Sequence, residues 1–117
     1  MSVGRWSVWL AGVDPVVGSE QGKTRLVLVI SDTNLNDILP VVNVLPLTTR
    51  KPGRRIYPNE AVMTIGSAGL KSESIVLCYQ IRTLDKRRLT KPLGVLDNAV
   101  TRAQVITALS FQLSLNR

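Results

Sequence analysis

Short apolar stretches, each bounded by turn residues, divide the chain and predict a mostly β protein. Runs of four to eight residues rich in Val, Ile and Leu are typical of buried strands. Such runs predict strands at Trp6–Leu10, Leu26–Ser31, Val41–Thr48, Glu60–Ile65, Ile75–Ile81 and Leu93–Leu96. Between the second and the third of them, Asp32–Leu39 is polar and has room for one short helical turn.

Two of these strands carry residues whose position is informative. Trp6 and Trp9 have opposite parity, so their rings would lie on opposite faces of a sheet. We interpret both as packing residues, with base stacking as the alternative. Pro46 lacks an N–H group and therefore predicts an edge strand or a bulge.

The C-terminal segment changes from strand to helix periodicity. Asp97 is a suitable N-cap, and neither Gly nor Pro occurs between it and Leu115. Apolar residues recur there at helical spacing in two sets, Val100, Ala103, Ile106, Leu109 and Leu113 in one, and Val105, Ala108, Phe111 and Leu115 in the other. Two apolar faces suggest dimerisation, with burial inside one subunit as the alternative. The chain is thus predicted to be mainly β (α+β), an antiparallel β domain closed by a C-terminal α-helix.

The length of the chain, its apolar runs and its cysteine content indicate the number of domains and the cellular compartment. The 117 residues are enough for about one domain, which we expect to span residues 1–117. No apolar run approaches the ~20 residues that a bilayer span needs, and the N-terminus has no signal-peptide core. With Cys78 as the single cysteine, we expect a cytoplasmic protein without disulfides. Because Cys78 lies in an apolar run, we interpret it as a buried, inert thiol.

The absence of histidine excludes several kinds of catalytic site. It excludes a Ser-His-Asp or Cys-His site, an HExxH zinc site and a ribonuclease that works by paired imidazoles. A single cysteine also excludes a structural zinc site. Catalysis would have to use arginine, lysine, carboxylates, hydroxyls or amides, so we expect no metal and no cofactor.

Positive charge is concentrated in two short windows. The chain has 15 Lys and Arg against 8 Asp and Glu, a formal net charge of +7. The first basic window consists of Arg50, Lys51, Arg54 and Arg55, and the second of Arg82, Lys86, Arg87, Arg88 and Lys91. Such clustering favours a polyanionic partner, either nucleic acid or an acidic protein tail, over two solvated loops.

The stretch Gly18–Arg25 invites comparison with a nucleotide-binding P-loop, because Gly22-Lys-Thr24 matches the end of that motif. The motif requires four residues between its glycines and a helix after it. Here Gly18 and Gly22 enclose three residues, and the segment that follows is β-branched and short. We therefore reject a P-loop.

Arg25 and Thr48 stand at the ends of two predicted strands. If these strands pair antiparallel, the two side chains would lie at one end of the sheet, close to Arg50 and Arg82. Hydroxyls, amides and guanidiniums that converge in this way suit a phosphodiester, on which negative charge grows in the transition state. The alternatives are an ion pair between Arg25 and a loop carboxylate, and an ordinary strand-end hydroxyl at Thr48.

Three blocks of sequence resemble the MazF/PemK-type toxins of bacterial toxin–antitoxin pairs. The blocks are Val13–Arg25 (VDPVVGSEQGKTR), Leu45–Thr48 (LPLT) and Gln80–Leu89 (QIRTLDKRRL). The order and spacing of the blocks and the length of the chain agree with the family from end to end. The resemblance implies an SH3-like barrel that works as a homodimer. It also implies a metal-independent endoribonuclease for single-stranded RNA, and a partner antitoxin with an acidic tail, similar to MazE.

The resemblance assigns catalysis to Arg25 and Thr48. Without a metal, the 2′-hydroxyl of the RNA would attack the adjacent phosphorus and leave a 2′,3′-cyclic phosphate and a 5′-hydroxyl. The general base is unassigned, with Glu20 as a candidate. The residues expected to bind RNA are Ser19, Glu20, Gln21, Lys23, Arg50, Arg54, Arg82, Lys86 and Arg87.

The chain departs from the family pattern at four positions. Arg5-Trp6-Ser7 stands where Arg-Gly followed by Asp or Glu is usual. Gly12 replaces a frequent acidic residue, and Leu26 replaces the proline that normally follows the catalytic arginine.

Two other functions compete with RNA cleavage. A toxin of the same fold that poisons DNA gyrase relies on a C-terminal Trp-Gly-Ile, whereas this sequence ends Ser114–Arg117. A non-catalytic barrel that binds nucleic acid through its basic windows would leave RNA intact, and its binding would be strongly salt-dependent.

Overall fold

Seven strands and two α-helices make up the computed structural model, which describes residues 2–12 and 23–115. In chain order they are β1 (Ser7–Gly12), β2 (Thr24–Val29), α1 (Thr33–Ile38), β3 (Val41–Thr49), β4 (Glu60–Met63), β5 (Ser74–Leu77), β6 (Arg82–Asp85), β7 (Leu89–Val95) and α2 (Ala99–Leu113). Short 3₁₀ turns lie at Ser67–Gly69, Cys78–Gln80 and Lys86–Arg88. No helix in the described ranges is long and apolar enough to cross a membrane.

β3 is the central strand of the sheet. One side of it pairs with β2, which continues to β1 and β7. The other side pairs with β6 along Val41–Val44 and with β5 along Leu47–Thr49, and β4 lies outside β5. Every pairing is antiparallel, and the order β4-β5-β3-β2-β1-β7 leaves the sheet barrel-like but open among the described strands. The prediction of a mainly β, barrel-like fold with a C-terminal helix is confirmed.

Pro46 lies inside this central strand, so the expectation of an edge strand is wrong. It is paired with Val27 of β2. On the other side of β3, the partner changes from β6 at Val44 to β5 at Leu47. Pro46 therefore lies where β3 exchanges one neighbour for another, and this break in the ladder tolerates a residue without an N–H group.

Two apolar clusters lie on opposite faces of the sheet. Trp6 belongs to the first cluster with Leu28 and Leu45, and Trp9 belongs to the second with Val27. Both tryptophans are buried, which confirms that their rings pack on opposite faces. Base stacking by either of them is excluded by this burial.

α2 covers the first cluster with one narrow stripe. Only Val105 and Ala108 of this helix are buried, and both belong to that cluster. The predicted stripe of Val100, Ala103, Ile106, Leu109 and Leu113 is mostly exposed. The helix begins one residue later than expected, because the Asn98 carboxamide, and not Asp97, accepts the N–H of Thr101. α2 thus has one buried and one exposed apolar face.

The region Ile75–Leu89 differs most from its prediction. The expected strand Ile75–Ile81 ends at Leu77 and passes into the turn Cys78–Gln80. The expected basic connection Arg82–Leu89 contains β6, whose pairing with β3 involves Arg82 to Asp85. Only Leu84 of β6 is buried, so the strand shows too little apolar alternation to be found from sequence.

The unusual Trp6 adopts a backbone conformation that favours glycine. Its φ is 74°, in the left-handed region that costs a side-chain-bearing residue about 1–2 kcal/mol. Arg5 and Arg102 lie against its ring, with guanidinium carbons 4.9 and 5.4 Å from the ring centroid. Ser7, the second departure, accepts the indole N–H of Trp9 at 2.9 Å and bonds to the carbonyl of Gly4. Packing and local hydrogen bonds thus stabilise the Trp6-Ser7 sequence where the family usually has glycine and a carboxylate.

Candidate active site

Arg25 and Thr48 lie on neighbouring strands and on the same face of the sheet. The ladder between β2 and β3 runs to the pair Val27–Pro46, and continuing its register by two residues brings Arg25 opposite Thr48. Partners on antiparallel strands have Cα atoms about 5 Å apart. Strand alternation directs both side chains to the face of the second apolar cluster. The strand positions therefore predict that the two side chains lie near each other at this end of the sheet, two residues beyond the last pair of the β2–β3 ladder.

The guanidinium of Arg25 reaches across β3 to Gln80. Its Nη1 donates a hydrogen bond to Gln80 Oε1 at 3.2 Å. Gln80 ends the turn between β5 and β6, the two strands that pair with β3 on the side away from β2. Gln80 Nε2 in turn donates to the hydroxyl of Tyr79 at 3.0 Å. A guanidinium has five N–H donors, so one bond to Gln80 orients Arg25 without exhausting them.

Thr48 lines a small cavity beside this chain of hydrogen bonds. The cavity has a volume of about 320 Å³ and is lined by Thr48, Thr49, Lys51, Arg54, Leu77 and Tyr79. This volume falls in the range of small-molecule sites. Because Tyr79 is both a wall of the cavity and the partner of Gln80, Arg25 and Thr48 are connected through the Cys78–Gln80 turn. A phosphate at this position would meet a hydroxyl, an ammonium and a guanidinium.

Arg54 is fixed by a buried carboxylate. Its Nη1 and Nη2 donate to the two oxygens of Glu60 at 2.9 and 2.6 Å, and the Glu60 side chain is only 3% exposed. The backbone N–H of Tyr57 also donates to Glu60. The hydrogen bonds from Arg54 hold the pKa of Glu60 below its usual value, and Glu60 raises the pKa of Arg54. Arg54 is therefore a rigid wall of the Thr48 cavity whose charge is compensated by Glu60.

Arg50 likewise holds the loop after β3. Its Nη1 pairs with Glu73 at 2.8 Å, while its Nε and Nη2 both donate to the carbonyl of Arg54. The two predicted RNA-binding arginines of the first basic window, Arg50 and Arg54, thus use their guanidiniums to stabilise the loop after β3. Lys51 and Arg55 are exposed and have no ion pair within the described residues.

In the second basic window Arg82, Lys86 and Arg87 lie away from Thr48, whereas Lys91 lines a cavity together with Thr49. Arg82 opposes Val44 in the β3–β6 ladder, four residues before Thr48, which is about 13 Å of strand. Lys86 lies near the beginning of β3 and donates to the carbonyl of Asn36 in α1 at 2.7 Å. Arg87 forms an exposed ion pair with Asp85, which lowers the pKa of Asp85 to about 2.

The described chain resumes after the predicted RNA-binding loop at Lys23, which is exposed. Ser19, Glu20 and Gln21 lie outside the described residues. Arg88 approaches that loop from the second basic window, since its Nη1 donates to the carbonyl of Gly12 at 3.3 Å. Gly12 pairs with Thr24, next to Arg25. Within the Lys86–Arg88 turn, Lys86 therefore contacts α1, and Arg88 contacts Gly12, the last described residue before residues 13–22.

Sequence reasoning left Gln80, Tyr79 and Glu60 without a role in the site. Gln80 opens the third family block, so the resemblance marked its segment but not its contact with Arg25. Tyr79 was assigned to a buried strand, whereas it is about half exposed. Glu60 is the only acidic residue within any of the predicted strands. A carboxylate is rarely buried without a partner, and Glu60 is buried.

The described site thus combines an arginine, a threonine and a glutamine around the central strand of a small antiparallel sheet, in a chain without histidine. The sequence profile of the PemK-like, MazF-like toxins of type II toxin–antitoxin systems matches residues 4–113. The chain belongs to this family of toxins.

Characterised relatives agree with this membership. Endoribonuclease EndoA of Bacillus subtilis (strain 168) is 38% identical over 98 residues, which cover 84% of each chain. The MazE-MazF complex of Deinococcus radiodurans (Form-II) matches with a TM-score of 0.79 at 26% identity, covering 99% of both chains. A mycobacterial endoribonuclease solved with its cognate antitoxin matches with a TM-score of 0.78 at 25% identity and the same coverage.

Proposed function

We propose that this chain is the toxin of a type II toxin–antitoxin pair and that it cleaves single-stranded RNA, including mRNA, without a metal ion. The observation that carries the proposal is the chain of hydrogen bonds from Arg25 through Gln80 to Tyr79, which lines the Thr48 cavity. Relatives that match most of the chain are endoribonucleases by name. Cleavage of mRNA would inhibit translation.

The reaction follows from the groups that are present. The 2′-oxygen of the RNA bonds to the adjacent phosphorus, and the bond from phosphorus to the 5′-oxygen of the next nucleotide breaks. The 2′-hydroxyl loses its proton to a general base, and the leaving 5′-oxygen gains one. The products are a 2′,3′-cyclic phosphate and a 5′-hydroxyl.

Arg25 and Thr48 stabilise the pentavalent intermediate. The guanidinium of Arg25, oriented by Gln80, offers N–H donors to the phosphorane oxygens, on which charge develops. Thr48 donates a hydrogen bond to a non-bridging oxygen and positions the phosphate. Ser19 and Gln21 hold the nucleotide beside the scissile bond, and Glu20 is the candidate base.

We assign four further properties on the same grounds. The chain is one domain and works in the cytoplasm as a homodimer, for which the exposed apolar face of α2 provides a surface. Its partner is an acidic antitoxin similar to MazE, since relatives of this fold occur in complexes with antitoxins. The net charge of +7 favours both an acidic tail and RNA.

The proposal is tested by incubating the protein with a long single-stranded RNA in excess chelator and mapping the new ends. We expect cuts at a short recurring sequence, with 2′,3′-cyclic phosphate and 5′-hydroxyl termini. RNA that is bound but left intact would support a non-catalytic barrel. A block of DNA gyrase without RNA cleavage would support the gyrase-poisoning toxin.

Two substitutions test the assigned chemistry. Arg25→Ala should abolish cleavage while the protein stays folded, and Arg5→Ala, which removes a guanidinium at the other end of the sheet, should keep activity. Full activity of Arg25→Ala would remove Arg25 from the mechanism. A substrate with deoxyribose at the cut position should resist cleavage, and its cleavage would exclude attack by the 2′-hydroxyl.

A further inference from the structure

The three exposed aromatic side chains surround a single cavity. The sequence contains five aromatic residues, of which Trp6 and Trp9 are buried in the core. Tyr57, Tyr79 and Phe111 are 50%, 49% and 63% exposed. All three line one cavity of about 510 Å³, together with Arg54, Pro58, Asn59 and Glu60. Large exposed rings gathered at one place mark a binding surface, since scattered apolar side chains are the norm elsewhere.

This aromatic cavity adjoins the Thr48 cavity. Arg54 and Tyr79 line both of them, so the two cavities share a wall. The hydroxyl of Tyr79 accepts a hydrogen bond from Gln80, the residue that orients Arg25. A molecule whose phosphate lies at Thr48 and Arg25 would therefore place its neighbouring group among the three rings.

Two arginines lie against the ring of Tyr57, and Glu60 compensates the charge of one of them. The guanidinium carbons of Arg54 and Arg55 lie 5.5 and 5.9 Å from the centroid of the Tyr57 ring. Arg54 is bound to the buried Glu60 at both of its terminal nitrogens. The charged residues that line the aromatic cavity, Arg54 and Glu60, pair with each other, whereas Arg55 lies outside this lining against the Tyr57 ring, and Lys51 lines the Thr48 cavity. A neutral planar group fits the rings, and a phosphate fits the Thr48 cavity.

We propose that Tyr57, Tyr79 and Phe111 form a stacking subsite for an unpaired nucleobase of the RNA, next to the scissile phosphate. This inference rests on the proposed ribonuclease function and adds the part of the substrate that each cavity binds. Single-stranded RNA is recognised by stacking its splayed bases on aromatic side chains, which accept any base face. The subsite thus contributes affinity for the RNA and fixes the position of the RNA strand relative to the scissile phosphate. Hydrogen bonds elsewhere on the protein select the RNA sequence.

Binding to a short RNA taken from a mapped cleavage site tests the subsite, with Arg25→Ala as the background so that the RNA stays intact. Phe111→Ala and Tyr79→Leu each remove a ring, and each should weaken binding by roughly 5- to 150-fold. Phe111→Tyr keeps a ring and should bind like the background. Ile38→Ala, which removes an exposed apolar side chain in α1, is the matched control and should not change affinity.

Abasic RNAs locate the contact. One base at a time is removed on either side of the scissile phosphate, and binding is measured to the background protein and to Phe111→Ala. The effect of Phe111→Ala should disappear at one abasic position and persist at the others. A ring variant that binds every RNA like the background overturns the subsite. So does a ring variant that leaves RNA binding intact but weakens dimerisation or antitoxin binding, because the rings would then cover a protein interface.

The subsite and the proposed function can fail separately. If the wild-type protein cleaves no RNA, the same binding comparison is made with a short unstructured single-stranded RNA; ring variants that lose affinity for it leave the subsite standing and show that the ribonuclease function is wrong. If the wild type cleaves and the ring variants bind and cleave normally, only the subsite is wrong. Thermal unfolding of each variant shows whether the fold is retained.

Discussion

Substituting Gln80 by leucine should slow RNA cleavage without unfolding the protein. Gln80 Oε1 accepts a hydrogen bond from Arg25 Nη1 at 3.2 Å, and leucine keeps the volume but removes this acceptor. A hydrogen bond to a charged group contributes about 1.5–3 kcal/mol when buried. Arg25 and Gln80 are half-buried, so solvent screening reduces this to about 1–2 kcal/mol. A loss of that size in transition-state stabilisation lowers kcat roughly 5- to 30-fold.

Single-turnover cleavage of a short RNA separates positioning from binding. Loss of orientation at Arg25 should lower kcat more than it raises KM, because the guanidinium acts most strongly on the phosphorane. Gln80→Glu keeps an acceptor oxygen for Arg25 and should retain more of kcat than Gln80→Leu. Gln104→Leu, the same substitution on the exposed surface of α2, should behave like the wild type.

A Gln80→Leu protein with kcat within twofold of the wild type would refute the role of Gln80 in holding Arg25. A kcat that falls only in proportion to the folded fraction would do the same, because Gln80 would then serve stability alone. Urea unfolding of both glutamine variants provides the folded fraction.

Three further predictions concern the scaffold. Trp6→Gly should lower the free energy of unfolding by about 2–4 kcal/mol in urea, since the lost ring packing outweighs relief of the φ of 74°; a gain in stability would contradict this. Hydrogen bonds from Arg54 lower the pKa of Glu60, so the stability that this carboxylate contributes is complete above its ordinary pKa of 4.5 and is lost as pH falls through the lowered value. Glu60→Gln should therefore be less stable than the wild type at neutral pH, and the difference should shrink as pH falls below 4.5 through the lowered pKa; a difference that grows on acidification would reverse the assignment. Burial raises the pKa of Cys78 to about 11, so a thiol reagent at about pH 8 should label the unfolded but not the native protein.

The sequence was sufficient for most of the sheet, because its strands are buried on one or both faces. Leu26–Ser31 and Val41–Thr48 are mostly apolar, and both correspond to strands that pair with each other. β6 escaped detection because only Leu84 faces the core. The prediction of an edge position for Pro46 was wrong for another reason. Beside Pro46, the partner of β3 changes from β6 to β5, and the local sequence carries no signal of this change.

The candidate site was predictable only where strand order decides it. Arg25 and Thr48 lie one residue inside the start of β2 and the end of β3, two strands that pair antiparallel, so alternation alone predicts that they share a face. The bond from Arg25 to Gln80 spans 55 residues and passes over β3, and no periodicity carries that information. Likewise, the charges of Arg50 and Arg54 were visible in the sequence, but their engagement with Glu73 and Glu60 depends on how the loop folds back.

The pairing of β1 with β7 has a consequence for the moment at which toxicity can begin. Ala11 stands between Arg25 on one side and Leu89 on the other. The strand beside Arg25 therefore lacks its second neighbour until residues 89–95 have been synthesised, and the core lacks Val105 and Ala108 until α2 follows. Folding during translation proceeds as segments emerge, and contacts between distant parts of the chain form last. A ribosome making this toxin thus completes synthesis through α2 before the product can attack any message, including its own.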